Sequence, residues 1–96
     1  MKDRDFRWNV YNLAKIAKHR VSQREAEHVV RFAKPPYPRK HKRGDHDKPS
    51  WMVVGRAHTH RKIQVLFFID EWDNIFIFHA MPIRRTGMAG NSRRNQ

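Results

Sequence analysis

Residues 34–38, Lys-Pro-Pro-Tyr-Pro, divide this chain into two parts that follow different rules. Proline lacks a backbone N–H and its ring clashes with the preceding helical turn, so no helix runs through this stretch. Before it, apolar residues recur at helical spacing; after residue 50 they alternate as strands do. Helices first and strands afterwards predict an α+β domain, with two N-terminal helices packed on a three- to four-stranded antiparallel sheet.

In the helical part, Asn9 behind Trp8 is a candidate N-cap. Val10, Leu13, Ala14 and Ala17 then follow at i, i+3, i+4 and i+7, which predicts the buried face of a short helix ending near Lys18. Ser22 and Glu25 form an S-x-x-E capping box, whose hydroxyl and carboxylate satisfy orphan backbone donors reciprocally. A second helix follows, burying Ala26, Val29, Val30 and Ala33 and turning Arg24, Glu27, His28 and Arg31 outward. Two helices joined by a tight turn in a basic chain also suggest a DNA-reading helix-turn-helix. Such units normally sit in a helical core with a third supporting helix. Here a proline-rich stretch and strands follow, so a helical hairpin on a sheet is the better reading.

Residues 34–50 hold four of the five prolines and the charged run RKHKRGDHDK, and read as a loop. Beyond it WMVVGR, KIQVLFFID and IFIFHAM predict three strands of a meander, with AHTH as a connection and EWDN as a turn. A short extra strand is possible around Phe6, Arg7 and Trp8. The last two strands are apolar on both faces. Ile63, Val65, Ile75 and Ile77 share one face, and Leu66, Phe68, Phe76 and Phe78 the other. Two short helices cover one face, so the second must be partly covered by the loop at residues 34–50, the N-terminal segment or another chain, and a partner protein or a second copy is expected there. Residues 1–83 form one domain, and the basic stretch 84–96, without periodicity, is expected to fray.

Ninety-six residues suffice for one core. The absence of cysteine excludes a disulfide framework and a thiolate zinc site and fits a reducing cytoplasm. The charged start MKDRDFRWN lacks the apolar core of a secretory signal, and the longest apolar runs are too short for a bilayer helix. A cytoplasmic, non-membrane protein is therefore expected. The net charge is +12. Residues 49–83 carry three bases and three acids, so the excess lies on the helices, the loop and the tail. Basic regions of this kind favour phosphate through counterion release, pointing to nucleic acid or an acidic protein partner.

The stretch FRWNVYNLAKIAKHRVSQREAEHVV, followed by PYPR (residues 36–39), VVGR (residues 53–56), IQVLF and the closing FHAMP (residues 78–82), resembles the BrnT toxins of bacterial type II toxin–antitoxin modules. The resemblance spans residues 6–84 and rests on five motifs in order, none of them strong alone. It implies a RelE-like ribonuclease that cleaves messenger RNA and is held inactive by a cognate antitoxin. Two departures stand out. Arg20 occupies a turn position where the family usually has glycine, and Met81 replaces an arginine of the closing motif. If that arginine binds the scissile phosphate, this copy is weakened or inactive, and the alternative is a basic module that binds RNA or an antitoxin without cutting.

Metal-free RNA cleavage needs a group to take the 2′-hydroxyl proton, cations to hold the developing phosphorane, and an acid for the leaving 5′-oxygen. His79, near the end of the third strand and read on the parity of Ile77 and Met81, is the first candidate proton carrier. Its bland counterpart is a hydrogen-bonded histidine at the core's edge. Arg56, ending the first strand, is a candidate phosphate clamp. His19 is a further catalytic candidate, although capping the first helix's C-terminus is the more economical role for it. Arg39, Lys40, Arg61 and Arg84 are candidates for RNA contact, Arg39 with Tyr37 beside it as a stacking ring. His58 and His60, read on one side of an extended segment, together with His41 and His46, invite a metal reading. Without cysteine or a helical His-Glu pair it is the weaker one, and no metal or cofactor is expected.

Overall fold

Two capping boxes set the helical part of the fold. The computed structural model describes residues 4–41 and 48–83. In it, Asn9 caps helix α1 (Val10–Ala17), its side-chain oxygen accepting from the backbone N–H groups of Tyr11 and Asn12. Asn12 reciprocates by accepting the Asn9 N–H at 2.7 Å and donates through Nδ2 to the Arg7 carbonyl at 3.1 Å. Ser22 caps helix α2 (Gln23–Arg31), with its Oγ accepting from the Glu25 N–H at 3.0 Å and the Glu25 carboxylate accepting from the Ser22 N–H at 3.1 Å.

The turn between the helices keeps the left-handed geometry that the resemblance implies for a glycine. Arg20 sits at φ 57°. Its N–H donates to the Ala17 carbonyl and the Val21 N–H to the Ile16 carbonyl, the bond pair of a Schellman motif, with Ile16 and Val21 both buried.

After the prolines, whose Pro35–Pro36 and Tyr37–Pro38 bonds are cis, the chain forms a four-stranded antiparallel meander. The strands are β1 (Arg39–His41), β2 (Ser50–Arg56), β3 (Lys62–Ile69) and β4 (Ile75–Pro82), adjacent in chain order. β1 lies inside the stretch read as loop from sequence. Its residues carry no apolar alternation, and it exists because β2 offers an edge: Ser50 Oγ donates to the His41 carbonyl at 2.5 Å. At the far edge the N-terminal segment adds a single parallel bridge between Phe6 and Ile75 rather than a full strand.

The β2–β3 and β3–β4 turns have the same three-residue form, a tight turn closed by a residue in the left-handed region. His60 takes that place at φ 70° between β2 and β3, and Asp73 at φ 66° between β3 and β4. His58-Thr59-His60 is thus a turn, not the extended segment on which the metal reading placed both rings together. Among the described residues no three His, Asp or Glu side chains are grouped to hold a metal ion, and no helix is long and apolar enough to cross a membrane.

The helices cover one face of the sheet, α1 against β4 and α2 against β2 and β3. Ala26, Val29 and Val30 of α2 are buried as the periodicity predicts, together with Val53, Ile63, Val65, Phe67, Ile75 and Ile77 of the sheet. Helix α1 behaves otherwise. It buries Asn12 and Ile16, while Ala14 and Ala17 are exposed, Leu13 is 38 % exposed and Val10 84 %. At 100° per residue its buried side is rotated by roughly 130° from its apolar stripe. The hydrogen bond from Asn12 Nδ2 to the Arg7 carbonyl and the Phe6–Ile75 bridge fix this orientation, and an isolated helical wheel contains neither.

The second face of the sheet is closed within the chain, the alternative to cover by another chain. Leu66, Phe76 and Phe78 gather there with Met52 and Phe68, but Leu66, Phe76 and Phe78 are buried rather than open. Phe68 stacks on Phe76 at 5.0 Å and on Phe78 at 5.9 Å. The Arg7 guanidinium lies 4.6 Å above the Phe76 ring.

Candidate functional site

The register of β3 and β4 shifts between Leu66 and Phe67, which face His79 and Ile77, leaving Phe78 as the extra residue of a bulge. Parity is therefore broken: Ala80, not His79, joins Ile77 in the helix-covered core. The half-buried His79 ring instead meets the His19 ring edge-on, with centroids 5.3 Å apart and planes at 66°. The extra turn that ends α1 supplies His19, whose N–H donates to the Ile16 carbonyl at 3.1 Å. Two of the histidines picked out in the sequence thus come together, one from each part of the chain.

Arg56 does not join them. It ends β2 opposite Lys62, whereas His79 lies opposite Leu66 one strand further across. Four residues along the sheet and two strand spacings across it place their backbones roughly 16 Å apart. The Arg56 side chain is also drawn toward the hairpin, its Nη1 donating to the His60 carbonyl at 2.9 Å.

Arg56 instead lines a cleft of about 500 Å³ between the exit of α2, the proline segment and the end of β2. Helix α2 and its exit contribute His28, Val29, Phe32 and Ala33, and the proline segment contributes Lys34, Pro35 and Tyr37. The end of β2 closes it with Val54, Gly55 and Arg56. Among the described residues no carboxylate lines this cleft. The His28 ring packs on Phe32 at 4.6 Å and stands 5.8 Å from the His58 ring, whose Nδ1 is buried without a hydrogen-bond partner. Of these residues the sequence drew attention to Arg56 and Tyr37 but not to His28, Phe32 or Lys34 as a group. Their i, i+4 and i+6 spacing on the exit of α2 was the available signal.

Arg61 has a structural role. It donates through both Nη atoms to the Arg20 carbonyl, at 3.2 and 3.1 Å, and its Nε lies 3.5 Å from Glu25 Oε2. Glu25 also accepts the Thr59 hydroxyl, tying the cap of α2 to the β2–β3 turn. Burial alone would raise the Glu25 pKa, but hydrogen bonds from Thr59 and the Ser22 N–H, with the charge of Arg61, hold it below its ordinary value. Asp70 is similar. Burial works against its charge, yet Arg7 Nε at 2.5 Å and the N–H groups of Asn74 and Trp72 hold its pKa below normal.

Arg39 and Lys40 are exposed on β1 at the sheet edge. Arg84, His46 and the tail 84–96 lie outside the described residues. Met81 is half-buried in β4, paired with Gln64. No protein-family model, no curated protein and no solved structure matches this chain.

Proposed function

We propose that this protein is a toxin-type, metal-independent endoribonuclease of the BrnT kind, with His19 and His79 as its proton carriers. The observation that carries the reading is the edge-on contact of these two rings at 5.3 Å. In the proposed step one neutral imidazole takes the 2′-hydroxyl proton, O2′ attacks the adjacent phosphorus, and the bond to the 5′-oxygen breaks. The other ring, as imidazolium, protonates that oxygen. The products are a 2′,3′-cyclic phosphate and a 5′-hydroxyl. The net charge of +12 and the exposed Arg39 and Lys40 supply attraction for the phosphate backbone.

Purified protein is expected to cut single-stranded RNA in EDTA and to leave cyclic phosphate ends. Undiminished cleavage of RNA with methylated 2′-hydroxyls would overturn the mechanism.

A second reading, a basic module that binds RNA or an antitoxin without cutting, is favoured by one observation: Arg56 stands apart from the histidine pair, so it cannot clamp a phosphate held between them. In either reading a protein partner is part of the proposal. The exposed stripe of Val10, Leu13, Ala14 and Ala17 on α1, rimmed by Lys15, Lys18 and Arg20, supports an acidic partner with an apolar face. A second copy of so basic a chain would meet like charge at that rim.

A further inference from the structure

We propose that the cleft beside α2 is a nucleotide subsite, taking a nucleobase against Phe32 and Tyr37 and its phosphate on Arg56 and Lys34. It extends the RNA reading and rests on it for the strand, but its geometry is independent of the histidine pair.

Size is the first argument. About 500 Å³ falls within the range of small-ligand sites and suits one nucleotide. The second is the character of the walls. Phe32 is 61 % exposed, which leaves its ring accessible at the cleft wall, and Tyr37 lies half-buried in the same cleft. Aromatic faces accept any base, because every base presents a π-surface.

The third argument is charge. Lys34 and Arg56 are both exposed, and among the described lining residues no carboxylate competes with an anion for them. The contact of Arg56 with the His60 carbonyl uses Nη1 and anchors the guanidinium, whose planar fork suits phosphate oxygens. Finally, His28 brings an imidazole to the cleft wall. Its ring nitrogens offer a hydrogen bond to a base edge that an apolar ligand would leave unused.

The test is a titration of the full chain with 5′-UMP, 5′-AMP, uridine, inorganic phosphate and hexauridylate, followed by calorimetry and by NMR saturation transfer to the aromatic rings. The monophosphates are expected to bind more tightly than uridine or phosphate alone, with transfer to the Phe32 and Tyr37 rings. Phe32→Ala and Arg56→Ala are each expected to weaken nucleotide binding by about tenfold. Phe32 is exposed, so its removal leaves the fold intact. Sensitivity of hexauridylate to the same variants, with tighter binding than UMP, assigns the subsite to a strand. Equal affinity for UMP and hexauridylate assigns it to a free nucleotide.

Phosphate binding as tightly as UMP, absence of nucleotide binding, or affinity unchanged in both variants would each overturn the proposal. Cleavage does not enter these measurements. RNA cutting without nucleotide binding sinks the subsite alone, and nucleotide binding without cutting sinks the ribonuclease alone.

Discussion

His19 and His79 stand edge-on with ring centroids 5.3 Å apart, one at the end of α1 and the other beside the bulge of β4. If they share the two proton transfers, His19→Ala and His79→Ala should each lower cleavage by about 10²-fold or more. The double variant should fall little further, because the residues act as a unit. Single-turnover cleavage and a thermal melt separate this from a structural effect: equal loss of folding and activity would show that the rings merely pack.

Arg56 should behave differently, since it lies apart from that pair. Arg56→Ala is expected to raise KM for RNA by about tenfold with little change in kcat, the pattern of lost uniform binding. A loss confined to kcat would place Arg56 at the scissile phosphate and contradict the separation seen across the sheet.

The Glu25 carboxylate makes stability depend on pH. Its pKa in the fold lies below the ordinary 4.5, and that of Asp70 below 3.8. Between the folded and ordinary values the unfolded chain binds more protons than the native one. The stabilisation is therefore fully present above about pH 4.5 and is lost as pH falls through the folded values. Denaturant melts from pH 7 to pH 3 should show the gap between the native protein and Glu25→Gln closing on acidification. A gap that stays constant would mean that the Glu25 charge contributes nothing.

At Arg20 the fold holds a side-chain-bearing residue at φ 57°, where glycine avoids about 1 kcal/mol of strain. The contact with Arg61 uses the Arg20 carbonyl, which glycine retains. Arg20→Gly should therefore stabilise by a few tenths to about 1 kcal/mol, allowing for the greater freedom of the unfolded chain. A lower melting temperature would show that the Arg20 side chain itself stabilises the turn.

Arg61→Ala, by contrast, removes the paired bonds to Arg20 and the contact with Glu25. A destabilisation of about 1 kcal/mol is expected, since the side chain is 39 % exposed and its ion pair is partly screened. RNA affinity should change far less than stability. A large drop in affinity at unchanged stability would return Arg61 to the RNA-contacting set.

Local chemistry made much of this protein legible in its sequence. The Ser22–Glu25 capping box, the Asn9 cap, the helix stop at the prolines and the alternation along β2, β3 and β4 involve bonds or periods spanning a few residues. Nothing distant had to be known to find them. Tertiary structure decided the rest. The apolar stripe of α1 faces outward because Asn12 and the Phe6–Ile75 bridge set the helix's rotation. The His79 ring reaches His19 because a one-residue bulge breaks the alternation that the sequence implied. The cleft exists only where the exit of α2, the proline segment and the end of β2 converge. Each of these depends on contacts between residues far apart in the chain, and helical or strand periodicity carries no record of how one element is rotated or shifted against another.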